Sequence, residues 1–336
     1  ARQAVADALK ANPMGYTVAL GLPALRAGIA RLYLEWYGVD LDPGRVVITS
    51  GSSAGFLLAF TALFDADDKV GVATPGYPSY RQILKALSLQ PIDIPTQART
   101  GHKLRAEDVA EYSLDGLLVA SPANPTGTML DKGSLKALAD HAERLGIGFI
   151  SDEIYHGIEY DKKATTALEV TNRAYIINSF SKFFSMTGWR IGWLVVPDDH
   201  IRSVERLAQN MFICPPHVSQ IAALAALECK VETAENLKVY AENRRLMLKG
   251  LPLAGFTEIA PPDGGFYIYA DISEFSVDSR AFAAKVLTGA GVAITPGLDF
   301  DRLRGGQTVR FSYAQSTPEI VDGLYRLKAF MQAHYI

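Results

Sequence analysis

Short apolar runs that each end in a cluster of small or polar residues recur along the first part of the chain. The runs are nearly continuous rather than alternating, which is typical of strands that are covered on both faces. Several lead through a small-residue turn into a stretch with helical spacing, and this order forms the βα unit of a parallel sheet. The runs comprise residues 46–49, 70–72, 117–120, 147–150, 174–178 and 191–196. The pattern predicts an α/β fold, with a mostly parallel central sheet and helices on both of its faces.

Beyond the last of these runs the pattern changes. Helical spacing covers residues 200–211 and 218–251, and the second stretch is broken near Cys229. Three strands and a final helix are then predicted at residues 266–270, 292–295, 309–313 and 318–334. Strands and helices without strict alternation indicate a smaller α+β domain. We place the boundary in the long helix, with a large domain at residues 1–240 and a small C-terminal domain at residues 241–336.

The composition argues against several classes of function. A formal net charge of −3 over 336 residues gives no reason to expect nucleic acid or an anionic membrane as a partner. The longest apolar runs are far shorter than the roughly 20 residues that span a bilayer, and no charged-then-apolar signal segment opens the sequence. Two cysteines without CxxC spacing and six scattered histidines form no disulfide framework or metal-ligand pair. We therefore expect a cytoplasmic, metal-free protein without nucleic acid or membrane partners.

The segment from Ser179 to Arg190 contains one lysine, Lys182, among aromatic and hydroxyl side chains. An ammonium group beside so much apolar surface is desolvated, which favours the neutral amine and makes it a usable nucleophile. The serines and Arg190 are donors of the kind that hold a phosphate. A lysine that forms an imine next to a phosphate site is what pyridoxal phosphate requires. The alternative is a surface lysine on an aromatic-rich loop.

Polar residues after other strands are candidates for the same site, because ligands of such sheets bind beyond the carboxyl ends of the strands. Asp152 follows a buried strand, where it either pairs with the pyridine nitrogen of the cofactor or caps a helix. Asn124 and Tyr155 are candidates to hydrogen-bond the ring oxygen, with an ordinary structural role in their loops as the alternative. Tyr77 offers a ring face for stacking on the cofactor, or packs within its own loop.

The turn at residues 50–55 has two interpretations. Ser52 and Ser53 open a helix directly after a strand, where backbone N–H groups and hydroxyls can cradle a phosphate. Residues 51–55 also fit G-x-S-x-G, the nucleophile elbow of the α/β-hydrolases, with Ser53 as the nucleophile. Against this remote alternative, only one strand precedes the turn, and the downstream histidines lack convincing settings.

Arg310 lies in a strand-like run with apolar neighbours. A buried arginine requires a carboxylate partner, and a bound amino acid supplies one. The alternative is a structural ion pair inside the small domain. At this point both roles of Arg310 remain open.

Several segments, in the right order along essentially the whole chain, carry a resemblance to one family. They are Tyr16 with residues 21–26, residues 121–127, residues 152–155, residues 179–182 with Arg190, residues 264–267, residues 295–297 and residues 309–313. In these segments the chain resembles the fold-type I pyridoxal-phosphate enzymes, specifically the class I/II aminotransferases of the aspartate aminotransferase type.

The resemblance implies roles for the residues around the cofactor ring. Lys182 would form the internal aldimine with pyridoxal phosphate and then move the Cα proton of the substrate as general base. Asp152 would pair with the pyridine nitrogen, Asn124 and Tyr155 would bond the ring oxygen, and Tyr77 would stack on the ring. Lys182, Asp152 and Tyr155 are therefore the expected catalytic residues.

The resemblance also implies roles at the phosphate and the substrate carboxylate. The phosphate would be held by Ser52, Ser53, Ser179 and Arg190, together with Tyr16 from a neighbouring subunit. A homodimer with shared active sites would follow from that contact. Arg310 would bind the substrate α-carboxylate, with Asn124 beside it. Members of the family usually have an N-terminal arm before the helix with which this sequence starts, and we expect such an arm to close over the substrate.

The activity that the resemblance implies is transfer of the amino group of an L-amino acid to a 2-oxo acid, in a ping-pong cycle. A carbon–sulfur β-lyase or a decarboxylase is the alternative on the same fold, because these enzymes start from the same imine. A non-enzymatic protein that keeps the fold is a further alternative, which the full set of catalytic residues disfavours. Neither substrate can be named, since spacing assigns no arginine or lysine to a second substrate carboxylate.

Overall fold

The computed structural model describes residues 1–11 and 13–336, and in these residues seven strands form the central sheet. The strands are β1 Val46–Thr49, β2 Lys69–Thr74, β3 Gln90–Pro95, β4 Gly116–Ala120, β5 Gly148–Asp152, β6 Tyr175–Ser179 and β7 Gly192–Val195. Their order in the sheet is β1-β7-β6-β5-β4-β2-β3, and β7 runs antiparallel to both of its neighbours. The other neighbouring pairs are parallel. The predicted α/β fold with a mostly parallel sheet is confirmed.

Helices cover both faces of this sheet. They are α1 Arg2–Ala11, α2 Pro23–Tyr37, α3 Ser52–Leu63, α4 Pro78–Ala86, α5 Ala106–Val109, α6 Lys132–Leu145, α7 Ile201–Phe212, α8 His217–Ala226 and α9 Lys230–Leu253. Alternate strand residues point to opposite faces, so Val46 and Ile48 belong to the core that includes α2, whereas Val47 belongs to the core that includes α3. The break predicted near Cys229 is confirmed, because α8 ends at Ala226 and α9 begins at Lys230. None of the helices in the described part of the chain is both long and apolar enough to cross a membrane.

A second, antiparallel sheet has the strand order β8-β10-β9 and packs against the end of α9 and two further helices. Its elements are β8 Tyr267–Asp271, α10 Ser279–Ala290, β9 Thr295–Pro296, β10 Thr308–Ser312 and α11 Thr317–His334. Of the strand predicted at residues 292–295, only Thr295 lies in a strand, because β9 comprises Thr295 and Pro296. Tyr155 and Ile158 of the N-terminal part join this second core. The domain division at residues 240 and 241 stays a prediction.

The direction of β7 determines which residues meet at the functional edge of the sheet. Gly192, its first residue, pairs with both Thr49 and Ser179, the last residues of β1 and β6. The start of β7 therefore lies at the carboxyl ends of the parallel strands. Arg190, two residues earlier, is brought to the same edge as the start of α3.

Gly192 allows this close approach because it has no side chain. A Cβ at Gly192 would lie 2.8 Å from the carbonyl oxygen of Asn178 and 3.0 Å from both the carbonyl carbon of Gly51 and the nitrogen of Ser52. These are backbone atoms of β6 and of the turn before α3, and they cannot move independently of the sheet. The separation between β7 and that turn therefore depends on a glycine at this position.

We predict that Gly192→Ala lowers the free energy of unfolding of the cofactor-free protein by about 1–3 kcal/mol, because the added methyl forces the backbone apart. Urea denaturation measures the difference. Gly188→Ala is the matched control, because a Cβ at Gly188 meets no atom of the described residues within 4 Å. Equal denaturation midpoints for the two variants would contradict the close-approach argument.

Candidate active site

A cavity of about 400 Å³ opens at the carboxyl ends of the strands. Nine of the eleven residues predicted for the site line it: Ser52, Ser53, Tyr77, Asn124, Asp152, Tyr155, Lys182, Arg190 and Arg310. Ser179 and Tyr16 do not line it. The sequence prediction missed six further lining residues: Phe56, Tyr80, Ile154, Ser181, Thr187 and Tyr267.

One end of the cavity is built to bind an anion. Helix α3 begins there, and no side chain in the described part of the chain caps its first N–H groups. These unpaired donors and the helix dipole favour negative charge. A Cβ at Gly51, before the helix, would lie 2.6 Å from Nη2 of Arg190, so the glycine leaves room for the guanidinium beside the helix start. Together with the hydroxyls of Ser52 and Ser53, this donor set fits a phosphate.

Ser179 lies next to this end but is turned away from it. Its buried hydroxyl is 3.1 Å from the carbonyl oxygen of Ile191, and its oxygen accepts the N–H of Ser181 at 3.0 Å. Ser181 lines the cavity instead. The only sequence signal for Ser181 is its position directly before Lys182. The phosphate contact predicted for Ser179 stays a prediction.

Asp152, the last residue of β5, presents a buried carboxylate to the cavity. Its side chain accepts the N–H of Ile154 at Oδ1, over 3.0 Å, and the hydroxyl of Tyr80 at Oδ2. Burial raises the pKa of Asp152 to about 6, although these bonds and the nearby charge of Lys182 oppose the shift. A turn rather than a helix follows Asp152, so the alternative that it is a helix cap is wrong.

Lys182 lines the cavity and is partly buried. Its Nζ is 5.7 Å from the ring centre of Tyr155 and 5.8 Å from that of Phe266. Burial lowers the pKa of Lys182, the charge of Asp152 opposes this, and Arg310 and Arg190 lower it further. The environment therefore favours the neutral, nucleophilic amine, and the alternative of a surface lysine is wrong.

Arg310, on β10, reaches the cavity from the second sheet. Its guanidinium carbon lies 4.1 Å from the ring centre of Tyr267 and 4.8 Å from that of Phe300. Nη1 donates to Oδ1 of Asn124 at 2.8 Å and Nη2 to Oγ1 of Thr295 at 3.3 Å, while Nε is buried and has no partner among the described residues.

The surroundings of Arg310 decide between the two roles that its sequence context left open. No carboxylate among residues 1–11 and 13–336 lies within ion-pair distance of its guanidinium. The alternative that Arg310 forms a structural ion pair is therefore wrong. A partly buried charge without a partner is unfavourable, and a ligand carboxylate would relieve this.

The remaining candidates surround the space between Lys182 and Arg310. The hydroxyl of Tyr155 donates to that of Tyr267 at 3.2 Å, and burial raises the pKa of Tyr155 well above its usual value, so the phenol stays protonated. Asn124 is buried and accepts from Arg310. Tyr77 is 38% exposed and meets Tyr80 edge to face, with ring centres 5.4 Å apart.

Tyr16 is 83% exposed and lies outside the cavity. Its loop is held against α8, where Nε2 of Gln220 donates to Thr17 at 3.0 Å and Nδ1 of His217 lies 3.0 Å from the carbonyl oxygen of Gly15. The side chain is thus free to contact another molecule. Its predicted contact with the phosphate of a neighbouring subunit stays a prediction.

Residues 1–326 match the family described as aminotransferase class I and II. The chain belongs to this family. This aminotransferase is 48% identical to the valine–pyruvate aminotransferase of Mycobacterium tuberculosis, over 98% of this chain and 87% of the relative. It is 31% identical to the aspartate aminotransferase of Pyrococcus horikoshii, over 98% of this chain and 86% of the relative. The crystal structure of a candidate aminotransferase from Silicibacter pomeroyi superposes with a TM-score of 0.94 at 64% identity, covering 99% of this chain and 87% of that one.

These findings confirm the family, the fold and the aminotransferase activity expected from the sequence. They do not favour the β-lyase, decarboxylase or hydrolase alternatives. The composition of the cavity also disfavours hydrolysis by Ser53, since none of the histidines in the described residues lines the cavity to serve as its base.

Members of this family use pyridoxal phosphate, and the cavity of this aminotransferase fits that group on three counts. The start of α3 and Arg190 form an anion site at one end. A buried carboxylate, Asp152, suits a protonated ring nitrogen. Lys182, with its lowered pKa, lies in the same cavity as both.

The buried carboxylate predicts a pH dependence of stability in the cofactor-free protein. The folded-state pKa of Asp152, about 6, is above its ordinary value of 3.8, so the folded state binds the proton more tightly. The contribution of Asp152 to the free energy of unfolding therefore falls as the pH rises, by roughly 2 kcal/mol between pH 4 and pH 6. Asp152→Asn has no carboxyl group that titrates at this position, so we expect the variant to be more stable than the unchanged protein at pH 7.5.

Urea denaturation of both proteins at pH 4 and pH 7.5 tests this expectation. Burial also raises the pKa of Glu153 to about 8 and that of Glu159 to about 7. Because both groups titrate in both proteins, their contributions cancel when the two free energies of unfolding are subtracted at each pH. A stability difference that is the same at the two pH values would show that Asp152 is not the group responsible.

Proposed function

We propose that this aminotransferase binds pyridoxal phosphate at Lys182 and transfers the amino group of a neutral L-amino acid to a 2-oxo acid. The observation that supports this most is the position of Lys182. A lysine with a lowered pKa lies in one cavity with an anion site, a buried carboxylate and an arginine that has no carboxylate partner in the described residues. Each of these groups has a counterpart on the cofactor or on an amino acid.

The phosphate is held by the N–H groups at the start of α3, by the hydroxyls of Ser52 and Ser53 and by the guanidinium of Arg190. Asp152 keeps a proton on the ring nitrogen, because a carboxylate in this setting stabilises a cation beside it. Tyr155 remains a protonated phenol, and its single O–H would donate to the ring oxygen in place of the hydroxyl of Tyr267.

Pyridoxal phosphate supplies a carbonyl carbon that condenses with amines and a ring that accepts an electron pair from the substrate. Lys182 supplies the base. Nζ of Lys182 would take the proton from the α-carbon of the bound amino acid. The second half of the cycle, with a 2-oxo acid, uses the same proton transfer in reverse.

The substrate α-carboxylate binds the guanidinium of Arg310, with Asn124 beside it. The buried Nε of Arg310, which has no partner in the described part of the chain, supports this assignment. The Nη1–Oδ1 bond to Asn124 orients the guanidinium. Both the amino acid and the 2-oxo acid have a carboxylate at this position, so Arg310 serves both halves of the cycle.

The side chain of the preferred donor is uncharged. The cations that line the cavity within the described residues are Lys182, Arg190 and Arg310, and the proposal uses each of them for another group. The remaining lining side chains are largely aromatic, aliphatic or hydroxyl-bearing. The 48% identical relative is named a valine–pyruvate aminotransferase, which favours valine-like donors and pyruvate as acceptor.

A homodimer, in which Tyr16 reaches the phosphate in the neighbouring subunit, completes the proposal. Its support is the exposure of Tyr16. The cytoplasmic location stays a prediction from the sequence.

We predict that the protein absorbs visible light after pyridoxal phosphate is added and excess cofactor is removed, and that Lys182→Ala does not. The variant should also lose at least about 10³-fold in transfer rate, because both the attachment point and the base are removed. Lys162→Ala, at an exposed position, is the control for the loss of a lysine. If the unchanged protein stays colourless with added cofactor, the proposal is wrong.

We also predict that kcat/KM for valine exceeds that for aspartate by at least about tenfold, because the second carboxylate of aspartate would lose its hydration without gaining a cation. Rates with pyruvate and with 2-oxoglutarate as acceptors, measured from the amino acid formed, provide the comparison. A preference for aspartate would mean that a cation outside the described cavity serves the donor side chain.

A further inference from the structure

The Arg310 guanidinium is held between two aromatic rings, and one of them belongs to a loop that is fastened to the other sheet. Tyr267 is part of β8, whereas Phe300 lies on residues 297–305, here called the clamp loop. The Phe300 ring is 3% exposed and lies 4.8 Å from the guanidinium carbon of Arg310. A ring in this position limits the rotation of the guanidinium and keeps water from its face.

The central sheet holds the clamp loop through the backbone of Phe300. The Phe300 carbonyl oxygen accepts the N–H of Gly76 at 3.1 Å and Nη2 of Arg81 at 3.1 Å. Arg81 is buried and also pairs with Asp93, with Nη1 and Oδ1 3.2 Å apart. The residue after Gly76 is Tyr77, so this contact lies next to the ring proposed to stack on the cofactor.

Arg304 provides a second attachment, at the far end of the clamp loop. Its Nη1 donates to the carbonyl oxygen of Thr96 at 2.7 Å and its Nη2 to that of Thr74 at 3.0 Å. Thr74 ends β2 and Thr96 directly follows β3. Both acceptors are carbonyls at the carboxyl ends of strands, so Arg304 joins the clamp loop to the edge of the central sheet at which the cavity opens.

Asp301 aims Arg304 at these carbonyls. Its buried carboxylate accepts Nε of Arg304 at 2.9 Å and the backbone N–H groups of Leu303 and Arg304, both at 3.0 Å. The Arg304 side chain is 43% exposed, so its charge alone contributes little. Arg304 instead contributes through its geometry, because its planar guanidinium bridges a buried carboxylate and two carbonyls at strand ends.

We propose that Arg304, oriented by Asp301, is a positioning residue for the substrate carboxylate: it fastens the clamp loop to β2 and β3 and thereby keeps Phe300 against Arg310. The inference rests on the proposed role of Arg310 and extends it to a residue that touches neither substrate nor cofactor. Without Arg304 the loop keeps its Phe300 attachment but loses its second one. The Phe300 ring then moves more freely, and Arg310 binds carboxylates less tightly.

Three variants of the cofactor-loaded protein test the proposal. Arg304→Met removes the guanidinium but keeps the aliphatic stem, and Arg304→Lys retains a single cationic donor. Arg302→Met is the matched control, because Arg302 is an exposed arginine of the same loop and its side chain makes no hydrogen bond to the described residues. The probes are 3-methylbutanoate, which is valine without its amino group, and the uncharged amide of the same acid.

The measured quantities are the inhibition constants of the two probes, and KM and kcat for the amino donor. In Arg304→Met, we expect KM and the inhibition constant of 3-methylbutanoate to rise by about tenfold, which corresponds to about 1.4 kcal/mol. We expect kcat and the inhibition constant of the amide to change by less than about twofold. Arg304→Lys should be intermediate, and Arg302→Met should match the unchanged protein.

Hydrogen exchange of the cofactor-free protein supplies a readout that is independent of activity. The amide of Gly76, which is bonded to the Phe300 carbonyl, should exchange faster in Arg304→Met than in Arg302→Met, because the loop that carries its acceptor is released. This measurement also shows whether Arg304→Met is folded, since the amides of the central strands should remain protected.

Two results would overturn the proposal: Arg304→Met and Arg302→Met with equal inhibition constants, or equal weakening of the acid and the amide by Arg304→Met. The second result would assign Arg304 to general packing rather than to carboxylate recognition. If the unchanged protein transfers no amino group from any donor, the proposed function itself fails, and this is seen before any variant is compared.

Discussion

The candidate active site depends on the insertion of β7 between β1 and β6 in the opposite direction. If β7 were parallel to its neighbours, its start and the segment before it would lie at the far edge of the sheet. The antiparallel insertion returns Arg190 to the edge where α3 begins, and Gly192 lets the backbones approach closely enough for this. One topological feature thus combines a helix start, a guanidinium and the loop of Lys182 in a single cavity.

The ionisable groups of this cavity are charged side chains whose burial or lack of a partner is unfavourable in the protein without a ligand. Burial raises the pKa of Asp152 and lowers that of Lys182, and the buried Nε of Arg310 has no partner in the described residues. Perturbed groups that share one cavity are typical of functional sites. A ligand with a phosphate, a ring nitrogen and a carboxylate would relieve each of these costs, and it would stabilise the folded state by binding to it.

Elements with a clear local pattern could be predicted from the sequence, and those without one could not. Strand β1 was predicted with its observed bounds, Val46–Thr49, because a short apolar run ends there at a turn of small residues. Strand β3, Gln90–Pro95, was missed, because it contains two prolines and alternates with polar residues, which a sheet tolerates only at its edge. Helices α4 and α10 were also missed.

The sequence by itself determined the fold class and predicted most of the charged residues that line the candidate site, because strand patterns and residues such as Lys182, Asp152 and Arg190 stand in recognisable local settings. Only the tertiary structure decided which side chains support them. Tyr80 bonds Asp152 across 72 positions of the chain, and the clamp loop meets β2 more than 200 positions away. Such contacts follow from strand order and from the packing of the two sheets, and no local pattern of residues encodes them.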